Sequence, residues 1–394
     1  MKSMGNARHV VTLRHLYEGI LAAAVLVLLA AQSRAADGDV AIERSGGGSQ
    51  IANGGAVGWT VGKMESAMPL PLPHASTAPS PQPIDALAVP VAVESGPSSE
   101  ALTTLPPGVV LWPGDHEIHF TDSSDHTMSE YGALPHSSGT SGCLFSSSRL
   151  VPPTSNTKYP NRMIGTLFFN RPGGGSYMCS AAVLRPRVVL TAGHCVHQGS
   201  GGAAGFYTDF IFCPAYQIGA SRYGCWTWNY VATTSDWANS GGYVPNAADY
   251  AMIEMADQNV SGQTTRIGDL LGWFGYATSS LTSNHVDIFG YPGNLDAGNR
   301  PHKVGAQRCA SGGSNTELYG SDMEGGSSGG PFVQDFGALS NGQALQSPAG
   351  PNLIVGVVSY GSVSTEPKRQ GASIFDTRFT GLLSTVCAHR SGNC

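Results

Sequence analysis

The chain has 394 residues, room for two average domains, yet only 12% of them are charged, while glycine (52) and proline (25) are plentiful. A formal charge of −6 with no basic block gives no electrostatic footprint for nucleic acid, so nucleic-acid partners are excluded. The composition is that of a turn-rich, weakly charged chain.

In chain order, Lys2, Arg8 and Arg14 precede an apolar run over residues 20–31, and Ser33-Arg34-Ala35 offers small residues where a signal peptidase reads. The run is about 12 residues, short of the roughly 20 that a spanning helix requires. Residues 1–35 are therefore expected to be a cleaved secretory signal, leaving a secreted protein with no membrane contact after its removal. Residues 36–150 follow, rich in Ser, Gly, Pro and Ala, with Pro69-Leu70-Pro71-Leu72-Pro73 as one of two runs of alternate prolines. Such prolines exclude a helix interior or a central strand. Few periodic apolar faces remain, so the segment is expected to be a largely disordered, low-complexity propeptide or linker. His116-Glu117-Ile118-His119 lies in polar, loop-like sequence there and reads as solvated histidines, so no metal and no cofactor are expected.

The texture changes at about Val151, where the domain expected to run over residues 151–394 begins. Short apolar segments recur between turn residues at 163–169, 183–192, 250–255, 286–291 and 353–360. Their length and β-branched content predict an all-β sandwich or barrel. Phe379, Leu382, Leu383 and Val386 fall at helical spacing and predict one C-terminal helix packed on it. The eight cysteines suit a disulfide framework, and no Cys-x-x-Cys pair is present. A bridge from Cys179 to Cys195 would pin one hairpin, and one from Cys213 to Cys225 would close a surface loop. Cys143, Cys309, Cys387 and Cys394 allow three connectivities.

Three stretches carry chemistry. Val188-Val189-Leu190 reads as a buried strand that delivers His194 to its end, in Thr191-Ala192-Gly193-His194-Cys195. Asp249, ahead of the apolar run Tyr250-Ala251-Met252-Ile253, can accept the imidazole N–H and fix its tautomer. Ser328 lies in Gly325-Gly326-Ser327-Ser328-Gly329-Gly330-Pro331, where glycines let the hydroxyl project while the backbone amides of Gly326 and Ser328 face an oxyanion. Together they suggest covalent acyl transfer.

In these motifs and their order the chain resembles the chymotrypsin-like serine peptidases, over roughly residues 151–386. Thr157-Lys158-Tyr159-Pro160 with Ile164-Gly165, and Tyr223-Gly224-Cys225-Trp226, look more like the glutamyl-endopeptidase branch. The resemblance implies two perpendicular six-stranded β-barrels with His194, Asp249 and Ser328 in the cleft between them. It also implies a secreted, monomeric endopeptidase acting on protein or peptide substrates. By the same resemblance Asp322 would lie near the floor of a specificity pocket, with Ser359, Tyr360 and Gly361 along one wall and Gly371 on another. A carboxylate there favours Lys or Arg before the scissile bond. Two departures stand out. Ser327 occupies the place of an aspartate that pairs with the new N-terminal ammonium in many members, and a serine cannot form that pair. Val357-Val358 stands where the glutamyl branch carries a glutamate-recognising histidine.

Two other readings use the same residues. Gly326-Ser327-Ser328-Gly329-Gly330 also fits Gly-x-Ser-x-Gly, and Asp376 and His389 follow it in the order of an α/β-hydrolase esterase. Pro331 and the β-like segment after it do not supply the helix which that fold needs. The third reading is a non-catalytic homologue that binds through its barrel surface.

Overall fold

Two runs of β-strand, each arranged to close on itself, form the frame of the described chain. A computed structural model describes residues 41–45, 58–74, 92–94, 96, 143–279, 281, 285–337, 350–361 and 368–394. The signal expected over residues 1–35 lies outside the described residues, as does most of the low-complexity segment.

In the first barrel the order is Trp226–Thr234, Ala251–Met255, Val188–Thr191, Ser176–Val183, Ile164–Asn170 and Thr208–Pro214. The last strand returns to the first through Trp226 opposite Phe212, so no hydrogen-bonding edge is left open. Leu167, Phe168, Val189, Phe212, Val231 and Ile253 fill the core, each at 1% exposure or less. The apolar run at 183–192 divides into two strands at Arg185-Pro186, because proline has no N–H to continue a ladder.

The second barrel runs Arg369–Ser373, Thr316–Gly320, His302–Gly313, His285–Gly290, Pro331–Gln334 and Leu353–Val357. The chain then passes from Leu353–Val357 into Tyr360–Gly361, which pairs with Arg369–Ser373 and closes the circuit. Val286, Ile288, Tyr319, Phe332 and Val355 form its core. The expected all-β double barrel is thus present.

So is the C-terminal helix, Thr377–His389, started by Asp376 accepting from Arg378 N. Phe379, Leu382, Leu383 and Val386 all face the first barrel's core, as their spacing of three, four and seven requires.

Four disulfides join Cys143 to Cys309, Cys179 to Cys195, Cys213 to Cys225 and Cys387 to Cys394. The first ties in sequence ahead of Val151: strand Phe145–Arg149 pairs with His302–Gly313 beside it. Asp296 secures the end of that strand by accepting from Arg149 Nε at 2.7 Å and meeting His302 Nε2 at 2.7 Å. Burial would raise the Asp296 carboxyl, but bonds and charges from His302 and Arg149 outweigh it and hold the group well below the usual carboxylate range.

Residues 58–74 also pack on the barrels. Trp59 is 5% exposed, packs at a tilt against Phe168 and donates its indole N–H to Asp209 O at 2.7 Å. A short helix, Val61–Glu65, follows with Thr60 as its N-cap. The chain then extends as Met68–Pro69 beside Ser176–Val183.

Candidate functional site

His194 leaves strand Val188–Thr191 in a single 3-10 turn, Gly193–Cys195, held from behind by the Cys179–Cys195 disulfide. Strand Ala251–Met255 pairs with Val188–Thr191 through Ala251 opposite Thr191, and this register brings Asp249 to the same end. The carboxylate takes His194 from two directions. Asp249 Oδ2 meets His194 Nδ1 at 2.8 Å, and Oδ1 accepts the His194 backbone N–H at 2.8 Å. Ser359 Oγ donates to Oδ2 at 2.6 Å. A carboxylate on Nδ1 fixes the proton there and leaves Nε2 as the basic nitrogen.

Ser328 is delivered by the second barrel. Gly329 N donates to Val358 O at 2.8 Å, Gly330 N to Ser327 O at 2.9 Å, and Ser180 N of the first barrel to Ser328 O at 2.7 Å. Gly326 and Gly329 both have positive φ, 92° and 77°, which the tight turn requires. Any side chain at Gly329 would also strike Thr191 Oγ1, 2.0 Å from the Cβ position. Ser328 Oγ and His194 Nε2 are both buried, and neither has a hydrogen-bond partner among the described residues. Buried polar atoms are normally satisfied, so these two, one from each barrel's contribution, make this a candidate functional site.

Two further residues support this loop, and sequence reasoning missed both. Ser180 Oγ donates to Gly326 O at 2.8 Å and accepts from Tyr291 N at 2.9 Å. Its signal was position alone, next to Cys179. Gln370 is fully buried; its Nε2 donates to Ser327 Oγ at 2.7 Å and to Met323 O at 2.9 Å, while its Oε1 accepts from Ser321 Oγ at 2.9 Å. Ser327 Oγ in turn donates to Glu324 O at 2.6 Å. Ser327 is therefore satisfied entirely within the second barrel, with no ammonium involved.

A cavity of about 330 Å³ opens beside the loop, with Asp322, Met323, Glu324, Gly361, Lys368 and Arg369 among its walls. Asp322 Oδ1 is buried with no hydrogen-bond partner among the described residues. Of the residues expected here, Asp322 and Gly361 line the cavity and three do not. Ser359 turns to Asp249 instead. Tyr360 is buried with its hydroxyl 2.8 Å from Thr316 Oγ1, and burial pushes that hydroxyl up to about 12. Gly371 lies under the Tyr360 ring, 2.3 Å from its Cβ position. The strand alternates faces, which sends Tyr360 into the barrel while Gly361 borders the cavity.

The residues of the esterase reading are scattered. Asp376 caps the C-terminal helix and pairs with Arg378, whereas His389, at the other end, meets Glu254 Oε2 at 2.5 Å and stacks on Tyr230. A 13-residue helix separates them, and Pro331 opens a strand where the esterase fold needs a helix. Near His194, the sulfurs of Cys179 and Cys195 are joined to each other, so they offer no thiolate to a metal. His197, further along the same segment, donates from Nε2 to Gly202 O and accepts Gly199 N–H at Nδ1. Burial holds its imidazole below the usual range, partly offset by the Gly202 bond.

Against known proteins, the Trypsin family profile matches residues 154–383. A glutamyl endopeptidase of Bacillus licheniformis is 29% identical over 192 residues, 48% of this chain and 54% of that protein. An extracellular metalloprotease of Bacillus subtilis is 28% identical over 33% of this chain and 37% of its own. The chain thus spans about half or less of the curated relatives it matches. Among solved structures, the protease Anisep from Arthrobacter nicotinovorans is 27% identical, with 59% of this chain and 98% of that chain covered and a TM-score of 0.48.

Proposed function

Because the chain belongs to the trypsin family, we propose that it is a secreted serine endopeptidase acting through Ser328, His194 and Asp249. His194 Nε2 takes the Ser328 hydroxyl proton as Oγ bonds to the substrate carbonyl carbon, and the backbone N–H groups of Gly326 and Ser328 receive the oxyanion. The same proton passes to the leaving amine as the C–N bond breaks. Water, deprotonated by Nε2, then releases the acid and restores Ser328. Asp249 holds the tautomer and stabilises the imidazolium, and Ser359 keeps its carboxylate in place. One observation carries this reading: Asp249 grips His194 at Nδ1, while Nε2 and Ser328 Oγ are left buried and unpartnered.

For the residue before the scissile bond we propose Lys or Arg, because Asp322 Oδ1 at the cavity has no partner and a cation would supply one. The Bacillus licheniformis relative, a glutamyl endopeptidase, favours the opposite choice, and here Lys368 and Arg369 at the cavity are the groups a glutamate would meet. Profiling the purified, processed protein against a mixed peptide library tests both points. Cleavage after Lys and Arg is expected; cleavage after Glu would transfer the recognition role to Lys368 and Arg369. No cleavage of any peptide would refute the peptidase reading.

A further inference from the structure

Residues 68–74, Met-Pro-Leu-Pro-Leu-Pro-His, run through the cleft that holds Ser328. At one end Met68 and Pro69 pair in parallel with Tyr177 and Met178, and Leu70 N donates to Met178 O at 2.9 Å. In the middle, Leu70 O accepts from Gly326 N at 3.0 Å, which engages one of the two proposed oxyanion donors. At the other end Pro73 O accepts from Gly361 N at 3.0 Å, and His74 bridges Gly361, again in parallel. Leu70 and Leu72 are 5% and 6% exposed, and Leu72 lies at the cavity in one apolar cluster with Met323.

The direction of this segment is opposite to that of a substrate. In acyl transfer the residue before the scissile bond fills the pocket, and the part after it departs past the base that protonates its amine. Here the cavity lies at Asp322 and Gly361, while His194 adjoins Cys195, which is bridged to Cys179 next to Met178. A productive peptide therefore runs from Gly361 towards Met178, and residues 68–74 run from Met178 towards Gly361. Reversal also splits the register. The carbonyl at Gly326 belongs to Leu70, but the residues of the segment at the cavity are Pro71, Leu72 and His74, not Leu70. The bond after that carbonyl leads to Pro71, and alternate prolines hold the whole segment extended at little entropic cost.

We infer, on the peptidase reading above, that residues 68–74 are a built-in inhibitor that occupies the cleft backwards and keeps the unprocessed chain latent. Blockage by occupancy suits a loop that is already formed: Gln370 and Glu324 hold Ser327, so the oxyanion donors do not wait for a new N-terminus. Trp59, anchored between Phe168 and Asp209, tethers the inhibitor away from the catalytic residues.

The test compares the unprocessed chain with its Leu72→Asp and Trp59→Ala variants. Two readouts are taken: the rate at which a fluorophosphonate labels Ser328, and hydrogen exchange at the Gly326 amide, which needs no catalysis. Losing one buried leucine contact should raise labelling about tenfold or more and speed exchange at Gly326. Trp59→Ala should do the same from outside the cleft, which covers the case that Leu72→Asp fails to fold. Equal labelling of parent and variants, with Gly326 exchange accelerated, would overturn the inhibitor inference while leaving the peptidase intact. Accelerated exchange with no labelling of any form would instead refute the peptidase reading, and the inference with it.

Discussion

Gln370 Nε2 donates to Ser327 Oγ over 2.7 Å, and through that bond a fully buried amide on one strand holds the residue next to the nucleophile. The bond supplies what an ammonium–carboxylate pair would otherwise supply at position 327. Replacing Gln370 by Ala leaves Ser327 Oγ one partner, Glu324 O, strips Met323 O of its donor and leaves Ser321 Oγ only the Met323 N–H. The expected result is a fall in kcat of about 100-fold as the Gly326 amide drifts, with KM little changed. Steady-state kinetics on the processed protein checks this; a rise in KM with kcat preserved would make Gln370 a pocket residue instead.

Asp249→Asn should lower kcat by about 10⁴-fold at neutral pH, because an amide at that position favours the wrong imidazole tautomer. Ser359→Ala removes only one charge-assisted bond to the same carboxylate, so a loss of about tenfold is expected. Finding the two variants equally impaired would mean that Ser359 acts on substrate directly.

Acid should loosen the strand ahead of the first barrel. The Asp296 carboxyl is held low in the folded protein by His302 and Arg149, so its stabilising contribution is complete above the unfolded value of about 4. It is lost as pH falls from there through the lower folded value. Urea unfolding should therefore show a larger drop between pH 5 and pH 3 for the parent than for Asp296→Asn. Parallel drops would remove Asp296 from the account.

Cutting the disulfide between Cys143 and Cys309 tests the same attachment covalently. Cys143→Ser with Cys309→Ser should cost about 2–4 kcal/mol of stability, given the 166-residue separation it closes. Thermal unfolding of the double variant measures it. His194, Asp249 and Ser328 stand on other elements, so kcat of the processed protein should be unchanged.

Much of the fold could be read ahead because its signals are local. Buried strands announce themselves as short β-branched runs, and the Phe379, Leu382, Leu383, Val386 face needs only helical spacing. The triad proposed here rests on equally local signals, since Gly and Cys neighbours mark His194 and Ser328 directly. Ser359, Tyr360 and Gly371 do not line the cavity described above, because a wall depends on which face of a strand looks outward, and one residue of offset exchanges the faces. Gln370 gave no signal at all: a lone amide in a strand reveals its role only when the strands around Ser327 are assembled. The upstream prolines were read as a bar to regular structure, which is sound locally. What escaped was that an extended, proline-rich strand suits a cleft lined with free backbone groups.

The most direct test of the central claim is to locate the phosphonate adduct by mass spectrometry in the processed protein, in the parent and in His194→Ala and His389→Ala. The account predicts one adduct, on Ser328, abolished by His194→Ala and retained by His389→Ala. An adduct on another residue, or loss of labelling only with His389→Ala, would contradict it.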